Sequence, residues 1–201
     1  EDCNLCGTSR FGAAHVYDSE SDPSCNSCGK TRAASGVTGD CVWSIDEDGH
    51  LIISGNGAMA DYPDGMTGPW GMGLRTVTIE DGVTTVGNNA FFNYSDLLQS
   101  VVIGSDVTRV GRNAFAGCTA LTSIVLPDSV TVIETCAFQS CNLLQSVVFG
   151  NGTISIAEQA FIYCSALQSI TFGNGDITIG VNAFRLCNIN TIQFGTGFCR
   201  I

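Results

Sequence analysis

An Ala-Phe pair recurs along this chain, with its phenylalanine at Phe91, Phe115, Phe138, Phe161 and Phe184. After each pair comes a strand-like segment that opens on a leucine-like position. Those openings fall at Leu74, Leu98, Leu121, Leu144, Leu167 and Ile189, spaced 22 to 24 residues apart. A unit this short cannot enclose a core by itself. Neighbouring units must stack and bury their apolar faces against one another, which predicts a solenoid.

One unit, taken from Leu121 to Asn142, shows how each coil should run. Leu121, Ile124 and Leu126 point inward from a short strand, and Pro127-Asp128 turns the chain out of it. Val130 and Ile133 point inward from a second extended stretch. Ala137 and Phe138 follow in a tight, helical turn, where alanine allows close backbone approach and the ring fills the space between coils. Like residues then stack over like, and the first strands are expected to form a continuous parallel sheet.

These residues resemble a known family. The pattern L-x-x-[VI]-x-[ILF]-x(3,4)-V-T-x-[IV]-G-x-x-A-F-x-x-C is similar to the BspA-like leucine-rich repeats of bacterial surface proteins, and it runs from Leu74 to the C-terminus. Cys118, Cys141, Cys164 and Cys187 occupy the terminal Cys position, and Tyr94 takes that place in the first copy. The resemblance implies a β-rich, right-handed leucine-rich-repeat solenoid with a parallel sheet and short helical turns. It also implies a non-enzymatic, secreted or cell-surface module for adhesion, binding a protein or glycan such as a host or matrix molecule. A structural spacer within a larger surface protein is the alternative.

Three regions follow: a Cys-rich segment over 1–34, a cap over 35–73, and five full repeats plus a partial one over 74–201. In the cap, Trp43 and Ile45 alternate with polar residues before Asp46-Glu47-Asp48-Gly49-His50, and Leu51 and Ile53 alternate after it. That pattern predicts a β-hairpin with an Asp-Gly turn. Laid over the first coil, the hairpin would cover the apolar end of the solenoid. Trp43, Tyr62 and Trp70 are then cap core.

The first 34 residues have no periodic apolar face, so something other than burial must hold them. Cys3-x2-Cys6 and Cys25-x2-Cys28 have the spacing of a tetrahedral structural zinc site, with a glycine after the second Cys of each pair (Gly7 and Gly29). Two disulfides among the same four cysteines are the rival in an oxidising compartment, and His15 is a weaker candidate ligand. The cysteines of the repeats read differently. Recurring every 23 residues, they should form a column of small, buried, reduced thiols. Cys41, Cys136 and Cys199 have no evident partner.

Composition narrows the function classes. Of the 201 residues 44% are hydrophobic and 13% charged, enough apolar material for a core. The apolar runs are too short to cross a bilayer. A net charge of −11, from 19 acids against 8 bases, argues against nucleic acid and anionic membrane surfaces as partners. The only histidines, His15 and His50, lie outside the repeats in polar turns, which gives a nucleophile-histidine pair no place in the array. Carboxylate pairs such as Asp46/Asp48 and Glu80/Asp81 fall in turns, where such residues are ordinarily solvated. Asn93-Tyr94-Ser95 and Asn151-Gly152-Thr153 are turns that match the glycosylation acceptor pattern. The candidate ligand face is therefore the outward side of the first strands: Thr76, Thr78, Gln99, Ser123, Gln145, Ser146, Gln168, Thr171 and Gln193. These are short or neutral side chains suited to hydrogen bonding.

Overall fold

The computed structural model of the protein describes residues 34–71, 73–94 and 97–200. The proposed zinc residues Cys3, Cys6, Cys25 and Cys28, and His15 with them, lie outside the described residues. What is described is a β-solenoid of stacked coils. Its cap contributes β1 (Ala34–Thr38), β2 (Cys41–Ile45), β3 (His50–Gly55) and β4 (Gly57–Ala58). Each coil then adds one strand to a first sheet and one to a second. In chain order these are β5 (Thr76–Ile79), β6 (Val83–Val86), β7 (Ser100–Ile103), β8 (Arg109–Val110), β9 (Ser123–Leu126), β10 (Val132–Ile133), β11 (Ser146–Phe149) and β12 (Ile154–Ile156). The last two coils supply β13 (Ser169–Thr171), β14 (Ile177–Ile179), β15 (Thr191–Gln193) and β16 (Cys199–Arg200).

The repeat dictates the pairing. In the first sheet, Ser146 sits between Ser123 and Ser169, and Val147 between Ile124 and Ile170, so equivalent residues register one coil apart. The second sheet runs unbroken in the order β16-β14-β12-β10-β8-β6-β4. The first sheet is not continuous as expected. It divides into β1-β2-β3-β5-β7 and β9-β11-β13-β15, with no ladder joining β7 to β9. The division coincides with a length change: the loop from Phe91 to Leu98 holds one residue more than the loop from Phe115 to Leu121. At that junction Val101 and Ile103 are each 8% exposed, where Val147 and Ile170, on strands paired on both sides, are 0% and 1%.

The third wall also departs from the expectation. No helix occurs among the described residues, and the Ala-Phe segments are not helical turns. Left-handed residues instead recur four positions apart, on either side of each Ala-Phe pair. Asn89 and Asn93, Cys136 and Ser140, and Gln159 and Tyr163 all have φ between 57° and 64°, in the left-handed region. In this conformation every second amide points to the next coil, as those of Asn89, Phe91 and Asn93 do to the carbonyls of Arg112, Ala114 and Ala116. Phe91, Phe115, Phe138 and Phe161 each donate their backbone N–H to an alanine carbonyl of the next coil, at 2.7 to 2.8 Å. The amides between them close local turns, as Ala137 N–H does on Glu134 O. The wall thus satisfies its backbone between coils, which a helix would do within one.

A left-handed conformation costs an ordinary side chain about 1–2 kcal/mol, and asparagine bears it most easily. Tyr163, at φ 64°, stands where an earlier coil has Asn93. Tyr163→Asn is expected to raise stability by about 0.5–1 kcal/mol and Tyr163→Val to lower it. Thermal unfolding of the two variants checks both signs.

Inside the walls the aromatic column forms as predicted. Phe91, Phe115, Phe138, Phe161 and Phe184 stack with centroids 4.9 to 5.2 Å apart and planes within 12° of parallel. Phe115, Phe138 and Phe161 have no exposed surface. Leu121, Ile124, Leu126, Val130 and Ile133 all point inward as read from the sequence. The glycine-rich turns of the later coils reflect close approach, since a Cβ on Gly175 would lie 2.1 Å from the carbonyl oxygen of Gly152 in the preceding coil.

The cap is more than a lid. Its hairpin is present, with Trp43 opposite Ile53 and Ile45 opposite Leu51. The Asp46 carboxylate accepts from the amides of Asp48 and His50 at 3.0 and 2.9 Å in the turn. Yet β3 pairs in parallel with β5, and β4 with β6, so the segment forms an irregular first coil. Trp70 completes it. Its ring stacks on Phe91 at 5.7 Å, and its indole N–H donates to Ala90 O at 2.8 Å. The amide of Gly68 and the hydroxyl of Thr67 donate to the same oxygen, and the amide of Tyr62 donates to Asn88 O. These donors satisfy wall carbonyls that otherwise await a preceding coil.

Candidate functional site

Strand alternation sends every second residue of the first sheet outward, and the parallel register lines these residues up in columns. One column is hydroxylic. Thr76 pairs with Ser100 on one side of the division, and Ser123, Ser146, Ser169 and Thr191 follow on the other. The next column begins polar at Thr78, continues as Val102, Val125 and Val148, and ends polar at Thr171 and Gln193. The Thr171 hydroxyl lies 3.4 Å from Gln193 Oε1. A third column stands just before the strands. There the Gln99, Gln145 and Gln168 amides donate to Arg75, Thr122 and Gln145 carbonyls at 2.8 to 3.0 Å, fixing the register of three exposed glutamines.

All nine residues predicted for the face therefore lie on the outward side of the first sheet or at its leading edge, and none is buried. The prediction missed the valines. Val102, Val125 and Val148 are 57%, 61% and 37% exposed, an apolar stripe beside the hydroxyl column. The signal was available in the Val-Val-Ile, Ile-Val-Leu and Val-Val-Phe segments: with inward residues on either side, strand alternation forces the central valine out. No outward strand position of this sheet, from Thr76 to Gln193, carries a charge. At the cap end the face meets His50, whose Nε2 is 2.9 Å from Thr78 Oγ1.

Arg75 heads the glutamine column, and other charged groups serve the turns, the second sheet and the third wall. Asp81 accepts from the amide and hydroxyl of Ser105 in the next coil at 2.7 and 2.9 Å, which holds its carboxyl below the usual range. Arg109 bonds Glu134 at 3.1 Å and Asn88 at 3.3 Å, and Arg112 pairs with Asp64 of the cap loop.

The repeated cysteines have a structural task that composition did not reveal. Cys118, Cys141, Cys164 and Cys187 each donate a thiol hydrogen to the phenylalanine carbonyl of the preceding coil (Phe91, Phe115, Phe138 and Phe161) at 3.1 to 3.2 Å. In the first coil the Tyr94 hydroxyl reaches Gly71 O at 3.1 Å instead. All four cysteines are free thiols. Burial pushes the Cys118 and Cys141 thiols up, and Cys164 is raised first by its contact with Cys141 and then by burial. Cys41 and Cys136 are also free, as is the exposed Cys199. Among the described residues no group of three or more His, Cys, Asp or Glu side chains is placed to hold a metal ion, and no helix is long and apolar enough to cross a membrane.

The sequence profile for BspA-type leucine-rich repeat regions, in six copies, matches residues 84–201. The chain belongs to this family. Solved structures share its fold. A leucine-rich repeat protein of T. pallidum superposes with a TM-score of 0.58 at 23% identity, over 80% of this chain and 84% of that one. One from Eubacterium ventriosum gives 0.53 at 21% identity, over 71% of this chain and 45% of that one. No curated protein sequence matches. The family and fold are those of protein-interaction or structural modules, and generally not of enzymes.

Proposed function

We propose that the protein is a non-enzymatic binding module of a bacterial cell surface, extracellular in location, which takes an uncharged protein segment or glycan on the outward face of its first sheet. The observation that carries this reading is the face itself. In a chain of net charge −11 its outward strand positions carry no charge, with Arg75 the one charged member of the glutamine column, and it sets a hydroxyl column beside an exposed valine stripe. Hydroxyls and glutamines supply directional hydrogen bonds, and the valines supply apolar area that a sugar ring or an aliphatic side chain can cover. The acidic remainder of the surface disfavours nucleic acid and anionic lipid. Host or matrix molecules that present neutral, hydroxyl-rich surfaces are the partners this chemistry suits.

A glycan and matrix-protein array probed with the intact chain tests the proposal. Val125→Arg together with Ser146→Glu puts charge at the centre of the face without touching the core, and is expected to reduce binding to any array partner at least about tenfold, a loss of about 1.4 kcal/mol. Binding that survives this change would assign it to another surface, and an array without any partner leaves the competing role of structural spacer. That role draws support from the lack of any exposed aromatic among the described residues at the outward strand positions.

The N-terminal segment carries a second, separate proposal: Cys3, Cys6, Cys25 and Cys28 hold one structural zinc ion with no open coordination position. The support is the paired Cys-x2-Cys-Gly spacing in a stretch with no apolar pattern, where metal binding would supply the folding free energy. A chelator is then expected to unfold this segment and leave the Phe-cored repeats folded, as read by amide exchange. Metal-free protein with two mapped disulfides among these cysteines would assign them to crosslinks.

A further inference from the structure

We infer that the solenoid is jointed. One rigid block runs from the cap through β7 and a second from β9 onward, and the two tilt so that the first sheet opens between β7 and β9 while the second sheet and the third wall stay bonded. The seam lies in mid-array, with a complete coil on either side. Elsewhere in the first sheet the carbonyl just ahead of each strand accepts from the amides of the next coil: Gly49, Arg75, Thr122, Gln145 and Gln168 all do so, at 2.8 to 3.3 Å. Gln99 O holds the same position at the seam and receives no such bond among the described residues. The Thr122 amide opposite it likewise donates to no acceptor among them. The aromatic column registers the same level independently. The Phe115 and Phe138 planes are 12° apart, against 3° to 9° at the other Phe–Phe steps of the column.

The other two walls cross this level intact. In the second sheet β8 pairs with β10, and the amides of Thr131 and Glu134 donate to the carbonyls of Thr108 and Val110 at 2.9 and 3.0 Å. In the third wall the amides of Phe115 and Gly117 donate to Ala137 O and Gln139 O at 2.7 and 2.8 Å, and the Cys141 thiol bonds Phe115 O. Parting the first sheet at any other level would break a ladder. Here it breaks none, so this is the level at which the array bends most easily, about an axis set by the two bonded walls. The sequence favours the parting at both ends of the seam. One additional residue precedes Leu98, and Pro127 follows β9 with no N–H to give, where the Glu80 amide after β5 donates to Ile53 O at 2.9 Å. Val102 and Val125 stand on opposite blocks, so tilting changes the curvature of the outward face between them. The joint does not depend on what that face binds.

Spin labels carried on ketone-bearing side chains, which leave the native thiols unmodified, measure the tilt in the intact chain. Labels at Val102 and Thr171 span the seam, and labels at Val125 and Gln193 lie the same three coils apart within one block. The first pair is expected to give a distance distribution at least about twice as wide as the second; equal widths would overturn the inference. Amide exchange of the unsubstituted chain reads which walls part. Thr122 is expected to exchange at least about tenfold faster than Gln145 and Gln168, while Phe115 and Gly117 stay as slow as Phe138 and Phe161. A Thr122 amide as slow as Gln145 would show the seam closed in solution and overturn the joint. Exchange of Phe115 and Gly117 as fast as Thr122 would overturn it as well, since the two blocks would then separate on every wall.

Discussion

Phe138→Ala is expected to cost about 3–5 kcal/mol of folding stability, enough to consume a large share of what a domain of this size possesses. Phe138 has no exposed surface and sits mid-column, with Phe115 at 5.2 Å on one side and Phe161 at 4.9 Å on the other. Truncation leaves a cavity that the stack cannot close. The rings above and below are held by their own coils, each fixed by hydrogen bonds such as Phe115 N–H to Ala137 O and Phe138 N–H to Ala160 O. Two offset ring contacts are lost as well, each worth about 0.5–1.5 kcal/mol beyond area burial, which moves the expected cost toward the upper end. Phe184→Ala is a control within the same repeat. That ring has a neighbour on one side only and is partly exposed, so its loss should cost less than half as much. Equilibrium denaturation of both variants decides the matter: equal costs, or a Phe138→Ala protein that melts with the parent, would mean that the column does not carry the stability assigned to it.

The parts of this fold that were legible from the chain are those fixed by one-dimensional pattern. A 23-residue register places Ile124 over Val101 and Val147 over Ile124 wherever the strands lie, and hydrophobic alternation then assigns the inward face. The hairpin was legible for the same reason, with Asp46 and Gly49 marking its turn. What was misread depends on groups in a neighbouring coil. Ala-Phe-x-x-Cys has the three-residue spacing of a helical face, and local propensity cannot separate a helix from a wall whose alternate amides bond across coils. A residual signal existed: Asn89 and Asn93, then Asn113 and Gly117, put residues tolerant of left-handed backbone four positions apart. The cap was likewise read as a cover over the first coil. Its role as an irregular coil depends on β3 and β4 finding the edges of β5 and β6, pairings between residues more than twenty positions apart. On the candidate face, hydroxyls and amides read as ligand-like in the sequence, and the three valines beside the hydroxyl column do not, because apolar strand residues are ordinarily core.

The thiol column should make the protein unusually sensitive to alkali. An ordinary cysteine titrates near 9.0, and in the folded chain Cys118, Cys141 and Cys164 are held well above that value. As pH rises past 9 the unfolded chain releases these protons while the folded chain keeps them. The folded state then binds more protons, so stability falls with increasing pH, by about 1 kcal/mol for each thiol between pH 9 and 10, about 3 kcal/mol for the three together, and by a limiting about 1.4 kcal/mol per unit for each thiol above that. Below pH 9 both states hold the protons and the contribution is complete. Between pH 9 and 10 thiols dominate the titration, Cys41, Cys136 and Cys187 being raised as well, while Tyr62 and Tyr94 start from 10.0 and Tyr94 is pushed up to about 12. Replacing Cys118, Cys141 and Cys164 together with alanine should lower stability at pH 7, through loss of the thiol bonds to Phe91, Phe115 and Phe138 carbonyls, yet flatten the decline between pH 9 and 10. Denaturant titrations at pH 7, 9 and 10 on both proteins provide the measurement. An equally steep decline in the alanine protein would show that other groups titrate there, and that the recurring cysteines are fillers rather than buried donors held in protonated form by the carbonyls they bond.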